Sequence, residues 1–139
     1  MAEPLTDKML EELLEAPTVD AFIDGHEFTE RSLSEYLRQL LEEKGLEQAQ
    51  VARMADISPT YGYMIFEGQR NPNRNKVLQI CLAMALTYTE TNRALEAAGA
   101  SLLYSKNRRD AIIIFCIDRG CSLQKTNEEL YRFGEETIC

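Results

Sequence analysis

The chain has 139 residues, 45% of them hydrophobic, a size that favours one compact domain with at most a small appendage and excludes a multi-domain machine. Its 15 basic residues stand against 23 acidic ones, and the formal net charge of −8 excludes a broadly basic surface that coats nucleic acid. The longest apolar run, 111–117, is far shorter than the roughly 20 residues that span a bilayer, so no membrane segment is expected. Four cysteines without a CxxC pair, and no signal peptide, predict a reduced, cytoplasmic protein.

The excess acid is concentrated at the N-terminus. Residues 1–33 contain two basic and nine acidic side chains, a formal charge of −7, so the rest of the chain is nearly neutral. Apolar residues within this segment recur at three and four positions, which predicts one short amphipathic helix that ends at Pro17. We expect residues 1–32 to be an acidic helical arm that packs on the body, pairs with a second copy or binds a protein partner.

The body has the periodicity of helices and no segment that requires a strand, which predicts an all-α fold. Apolar residues at helical spacing run from 33 to 44, and a short helical segment follows at 48–55. Ser58 is then a good N-cap, and Pro59 lies at the first helical position, where its missing N–H costs nothing. The sequence therefore predicts a helix, a turn and a second helix at 58–67.

A repeat occupies the C-terminal half, where residues 74–99 and 109–134 align at a constant offset of 35 residues. The matched positions include Arg74 with Arg109, Cys81 with Cys116, Thr87 with Ser122, Leu95 with Leu130, and Gly99 with Gly134. Each copy has a helix, a Thr or Ser N-cap, a second helix and a terminal glycine, the pattern of a helical hairpin. We expect a C-terminal extension at 87–139 whose hairpins pack on the preceding helices and on each other.

The helix, turn and second helix carry an ordered set of motifs. They are Gln-x-x-Val-Ala at 48–52, Ser-x-x-Tyr at 58–61, Ile-x-x-Gly at 65–68 and Arg-Asn-Pro at 70–72. This set resembles the lambda-repressor-like, XRE-type helix-turn-helix domain of bacterial and phage regulators, over about residues 33–86. The resemblance implies a five-helix core in which one helix crosses the DNA backbone and the next enters the major groove.

The resemblance also implies a DNA-binding site. By position, the recognition helix contributes Ser58, Pro59, Thr60, Tyr63 and Met64. The segment 69–76 independently suits phosphate binding, because it holds three cations and four amides and no acid. The candidate phosphate-binding residues are Gln48, Gln69, Arg70, Asn71, Arg74 and Lys76.

This face of the recognition helix is expected to discriminate only modestly between DNA sequences. It has no Arg, Lys, Asn or Gln for bidentate contacts to bases, which leaves single hydrogen bonds, contacts to thymine methyl groups and DNA shape. Gly62 stands where the family usually carries an apolar residue and costs roughly 1 kcal/mol of helix propensity relative to alanine, which predicts a less rigid helix. Glu67 would repel a nearby phosphate unless another residue covers it.

No other chemistry is indicated. The single histidine, His26, and the scattered cysteines lack the spacing of metal ligands, and no nucleophile–base pair or phosphate loop is present. We therefore predict neither an enzyme nor a cofactor, but a homodimeric regulator that binds double-stranded DNA with recognition helices roughly 34 Å apart. The alternative is a non-catalytic protein-interaction module, antitoxin-like or adaptor-like, on the same scaffold, which Gly62, Glu67 and the acidic arm would favour.

Overall fold

The computed structural model describes residues 6–25 and 31–139, and all the regular structure in those ranges is α-helical. The all-α prediction is confirmed. None of the helices in these ranges has the length and apolar character to cross a membrane. His26 lies outside the described residues, so the expectation that it is no metal ligand stays a prediction.

Residues 1–30 form a unit of their own. Its described part, residues 6–25, holds two helices, α1 (Thr6–Glu15) and α2 (Val19–Asp24). The two helices pack on each other, and Phe22 of α2 is buried. The sequence predicted only one helix here. The second forms because Thr18 caps it, with its hydroxyl accepting the amide of Ala21 at 3.0 Å.

Residues 31–139 form the second unit. Its helices are α3 (Leu33–Lys44), α4 (Gln48–Met54), α5 (Pro59–Phe66), α6 (Arg74–Ala83), α7 (Tyr88–Ala97), α8 (Arg108–Asp118) and α9 (Leu123–Arg132). All but α4 begin at a Ser, Thr or Asn whose side chain accepts an amide of the first turn. One hydrophobic core extends through the unit from Leu33 to Ile138. The helices before and after the predicted turn therefore pack on the same core.

Gly62 lies at the contact between α4 and α5. A Cβ atom at this position would approach the Cβ atom of Ala52 to 2.9 Å, which is closer than two carbon atoms can pack. The glycine therefore lets the two helices approach each other, and it is buried. Its role is close packing against Ala52, and the expected effect on the rigidity of α5 stays a prediction.

The 35-residue repeat reappears in the hydrogen bonds of two arginines. Arg74 donates through Nε to the carbonyl of Ser101, 27 residues later, at 2.9 Å. Arg109 donates in the same way to the carbonyl of Glu136, also 27 residues later, at 2.8 Å. Each arginine thus holds the segment that follows its own hairpin.

Two asparagines repeat in the same manner. The side chain of Asn92 accepts the amide of Leu103 at 2.9 Å. The side chain of Asn127 accepts the amide of Ile138 at 2.8 Å, and in both cases the partner lies 11 residues later. The polar contacts therefore extend the repeat to residue 138, beyond the 134 at which the sequence alignment ends.

The two hairpins contact each other reciprocally. Arg74 of the first hairpin binds Asp110 of the second, and Arg109 of the second binds Asn75 of the first, at 2.9 and 3.0 Å. Positions 75 and 110 are equivalent in the repeat, and α6 packs on α9 as α7 packs on α8. The hairpins are therefore paired about an approximate two-fold axis.

Candidate nucleic-acid interface

The exposed face of α5 holds the residues predicted to read bases. Ser58 caps the helix, with its hydroxyl accepting the amide of Tyr61 at 3.2 Å, and proline occupies the first helical position. Ile65 and Phe66 are buried on the inner face. The outer face presents Pro59, Thr60 and Tyr63 to solvent, with Met64 partly buried at its edge. Tyr63 is the largest of these side chains, and 54% of it is exposed.

The first residue of α4 lies beside the end of α5. The Gln48 side chain donates from Nε2 to a Glu67 carboxylate oxygen at 3.4 Å. Glu67 follows directly after α5 and is exposed. A candidate phosphate ligand and a carboxylate therefore share this corner, and no arginine pairs with Glu67 within the ranges that the structure describes.

The loop after α5 is held against the end of that helix. Gly68 adopts a left-handed conformation, with φ of +79°, that turns the chain back. The amides of Gln69 and Arg70 then both donate to the carbonyl of Met64, at 2.8 and 3.3 Å. The Arg70 side chain is exposed and forms no ion pair with any other described residue. Its charge therefore stands free at the C-terminal end of α5.

The next residues of the loop are anchored to other helices. Asn71 donates from Nδ2 to the carbonyl of Ala98 at 3.2 Å, which commits one of its two amide protons. Asn73 caps α6 by accepting the amide of Lys76 at 3.0 Å. Lys76 is partly buried in the first turn of α6 and has no ion-pair partner among the described residues. The loop is thus positioned from both of its ends.

Arg74 does not belong to this surface, contrary to the prediction. Its Nη1 and Nη2 atoms donate to the two carboxylate oxygens of Asp110 at 2.9 Å each. Its Nε and Nη2 atoms also donate to the carbonyls of Ser101 and Leu102. Four of the five N–H groups of a guanidinium are therefore occupied within the protein. Among the residues that the structure describes, the segment 69–76 therefore keeps two cations without an ion-pair partner, not three.

Sequence reasoning missed Asp110 as the partner of Arg74. The two residues are 36 positions apart, so no local pattern connects them. The only signal was the repeat itself, in which Asp110, the residue after Arg109, is equivalent to Asn75, the residue after Arg74. Residues 31–139 hold equal numbers of basic and acidic side chains. Each basic side chain that is used in an internal ion pair is therefore unavailable to bind a partner.

We compared the chain with known protein families, and the result concerns the first five helices of this unit. A family model described as a helix-turn-helix domain matches residues 35–92. This segment is thus similar to helix-turn-helix domains. The resemblance to the XRE type is thereby confirmed, and the match extends from α3 into α7, past the predicted end at 86. No curated protein and no solved structure matches the chain.

In the helix-turn-helix domain, α4 and α5 are the two helices and residues 55–58 are the turn. Asp56 takes a left-handed conformation there, with φ of +58°. The turn is also held from within, because the buried Gln79 side chain donates from Nε2 to the carbonyl of Ala55 at 2.8 Å. Domains of this class belong in general to DNA-binding regulators. No cluster of three or more potential metal ligands occurs in the described part of the chain.

Proposed function

We propose that this protein is a non-catalytic transcriptional regulator of bacterial or phage type that binds double-stranded DNA sequence-specifically in the cytoplasm. The observation that carries the proposal is the adjacency, within a helix-turn-helix domain, of the exposed α5 face and the free Arg70 side chain. In this arrangement α5 lies in the major groove and the loop after it contacts the DNA backbone.

The phosphate contacts come from both ends of the helix pair. We assign them to Gln48, Gln69, Arg70, Lys76 and the remaining amide proton of Asn71. Base reading falls to Thr60 and Tyr63 through single hydrogen bonds, and to Pro59 and Met64 through apolar contact with thymine methyl groups. Ser58 acts through its cap, which sets where α5 begins.

One copy of α5 offers too few base contacts for useful specificity. We therefore propose a homodimer whose two α5 helices enter successive major grooves roughly 34 Å apart, on a site that is close to palindromic. The acidic arm is available for a protein partner that modulates binding.

The small number of free cations sets the expected salt dependence. Two lysine or arginine contacts per protomer predict a slope of about −2 for log Kobs against log salt, or about −4 for a dimer. Steeper slopes would indicate that further exposed cations, such as Arg53 in the last turn of α4, also contact phosphates. The affinity at physiological salt should accordingly depend strongly on contacts to bases and on DNA shape.

The test is binding of the purified full chain to a random-sequence duplex pool at low and raised salt, followed by sequencing of the retained DNA. Arg70→Ala should weaken binding to all sequences and reduce the slope of a dimer by about 2. The matched control Arg132→Ala removes the same charge from α9 and should change neither quantity. Tyr63→Ala should alter the preferred sequence while leaving nonspecific binding nearly unchanged.

A protein-interaction module is the second candidate, and a specific observation favours it. Asp110 neutralises Arg74, and Glu67 stands beside the candidate phosphate ligand Gln48, so the electrostatic attraction for DNA is weak. If the wild-type chain binds no duplex even at low salt, the regulator proposal is wrong and this alternative takes its place.

A further inference from the structure

The C-terminal end of α8 is closed by a turn that carries two cysteines. Gly120 adopts a left-handed conformation there, with φ of +68°. The amide of Gly120 donates to the carbonyl of Ile117 at 3.1 Å, and the amide of Cys121 donates to the carbonyl of Cys116 at 2.9 Å. These two hydrogen bonds define a Schellman motif, in which the side chains at the two ends frequently pack on each other. The two ends of this motif are Cys116 and Cys121.

The first hairpin has an apolar contact at the equivalent place. Helix α6 ends in the same kind of turn, in which the amide of Leu86 donates to the carbonyl of Cys81 at 3.0 Å. The offset of 35 residues relates Cys81 to Cys116 and Leu86 to Cys121. Cys81 and Leu86 are both buried. In the second hairpin, a thiol therefore stands where the first has a leucine side chain, and it faces another thiol.

The two thiols differ in their access to solvent. Only 1% of Cys116 is exposed, whereas Cys121 is partly exposed. Burial raises the pKa of the Cys116 thiol to about 11, and the neighbouring Cys121 thiol adds to the rise. One thiol has such an effect on another only when the two are close together. The pair thus consists of a thiol that solutes can reach and a second thiol that lies beside it in the core.

We propose that Cys116 and Cys121 form a reversible intrachain disulfide, with a low-molecular-weight disulfide of the glutathione class as the oxidant. The Cys121 thiolate attacks one sulfur of the oxidant, which forms a mixed disulfide at Cys121 and releases one thiol. The Cys116 sulfur, on losing its proton, attacks the Cys121 sulfur, and the departing thiolate takes up a proton. The two protein thiols are thus oxidised to one disulfide, and the oxidant is reduced to two thiols.

The fold prepares the pair for this reaction. A disulfide joins only residues whose α-carbon atoms lie within about 7 Å of each other, and the backbone hydrogen bond between Cys121 and Cys116 holds the two main chains together. The second step is intramolecular, so the oxidant does not have to enter the core to reach Cys116. In a reducing compartment such a disulfide is transient and follows the balance of thiols and disulfides in its surroundings.

The test is disulfide mapping of the full chain after equilibration with mixtures of reduced and oxidised glutathione. Remaining thiols are blocked, and the protein is digested with trypsin without a reductant. Cleavage after lysine and arginine places the four cysteines in four different peptides, 77–93, 110–119, 120–125 and 133–139. We expect peptides 110–119 and 120–125 to be joined, because cleavage after Arg119 separates them only when no disulfide links them. Dithiothreitol should release both.

The same experiment in urea shows whether the folded turn is responsible. An unfolded chain must close a loop to join the two cysteines, which costs entropy, whereas the native turn already holds them together. At equal concentrations of reduced and oxidised glutathione, the ratio of joined to unjoined peptides should be at least about 10-fold higher for the folded chain.

The repeat itself supplies the variant that removes the disulfide. Cys121→Leu places at this position the side chain that the first hairpin carries at Leu86, so the fold should be kept, and circular dichroism checks this. Joined peptides should be lost in this variant, and Cys116 should stay reduced. The matched control Cys139→Ser removes an exposed thiol and should leave the joined peptides unchanged.

Two results would overturn the inference. One is a Cys121 that carries glutathione while peptide 110–119 stays unjoined, or that pairs with peptide 133–139 instead. The other is an equal ratio of joined peptides in the folded and unfolded chains, which would show that the turn does not favour the bond. Neither result depends on DNA binding, so the proposed function is tested separately.

Discussion

Arg74 and Asp110 join the two hairpins through a pair of parallel hydrogen bonds, both 2.9 Å long. Asp110 is buried, and its second oxygen also accepts the amide of Tyr104 at 3.0 Å. The arginine begins α6 and the aspartate lies in the first turn of α8. A bidentate pair of this kind fixes the relative orientation of the two helix starts.

Removal of Arg74 should therefore destabilise the fold. Arg74→Ala leaves a buried carboxylate without its cation, and we expect the free energy of unfolding to fall by about 3 kcal/mol. Arg70→Ala removes an equal but exposed charge and should change it by less than about 0.5 kcal/mol. Urea denaturation followed by circular dichroism measures both. Equal effects of the two substitutions would show that Arg74 is no more than a surface cation.

Gly62→Ala should destabilise the protein although alanine is the better helix former. The gain of about 1 kcal/mol in propensity is outweighed by the collision with Ala52, and overpacking of this kind typically costs about 1–3 kcal/mol. The double variant Ala52→Gly with Gly62→Ala returns the space. In a double-mutant cycle by urea denaturation, we expect the second substitution to offset part of the first, and strictly additive effects would contradict the packing role.

Ala85 and Gly120 are equivalent in the repeat, and both adopt left-handed backbone conformations, with φ of +54° and +68°. The alanine carries a Cβ penalty that the glycine avoids. Ala85→Gly should therefore stabilise the protein by about 0.5–1 kcal/mol, and Gly120→Ala should destabilise it by a similar amount. Nothing lies within 4 Å of a Cβ at Gly120, so that change reports the backbone alone. Shifts in Tm of opposite sign are the expected result.

Two of the four thiols should resist modification in the folded protein. Burial raises the pKa of the Cys81 thiol to about 12, and burial together with the nearby Cys121 raises that of Cys116 to about 11. A thiol reagent at pH 8 should react quickly with the exposed Cys139 and more slowly with the partly exposed Cys121. The other two should react only after unfolding, and four equally fast thiols would contradict their burial.

The same two thiols predict a loss of stability in alkali. Their folded-state pKa values lie above the ordinary value of 9.0, so the folded state holds these protons more tightly than the unfolded state does. Their contribution is fully present below pH 9 and is lost as the pH rises through 11 to 12. In unfolding experiments at pH 8 to 11, Cys81→Ala should show a smaller decline than the wild type.

Much of this fold follows from local sequence patterns. The start of α5 was predictable because Ser58 and Pro59 act within one turn of the helix, and the capping box of α7 likewise lies within four residues, from Thr87 to Glu90. In that box, burial opposes ionisation of Glu90, but the Thr87 amide and Lys44 outweigh it and hold the Glu90 pKa below its usual value. Interactions between residues so close in the chain can be recognised from the local sequence alone.

The roles of Arg74 and Gly62 were not predictable in this way. From the sequence, Arg74 lies in a loop without acids and is expected to be available for phosphate. Tertiary packing brings the carboxylate of Asp110, 36 residues away, against it. A glycine in a helix looks destabilising until the neighbouring helix is known to need its missing side chain. The positions on the outer face of α5 came from the resemblance to the helix-turn-helix family, and their contacts with bases remain a prediction.

The arginine and asparagine contacts that recur in the two hairpins have a consequence for how the chain folds. Each arginine reaches carbonyls 27 and 28 residues ahead, and each asparagine reaches an amide 11 residues ahead. Contacts over such short stretches require little loop closure, which is the condition for rapid folding. The first hairpin can therefore close while the second is still being synthesised, and it then presents a finished template to the second hairpin.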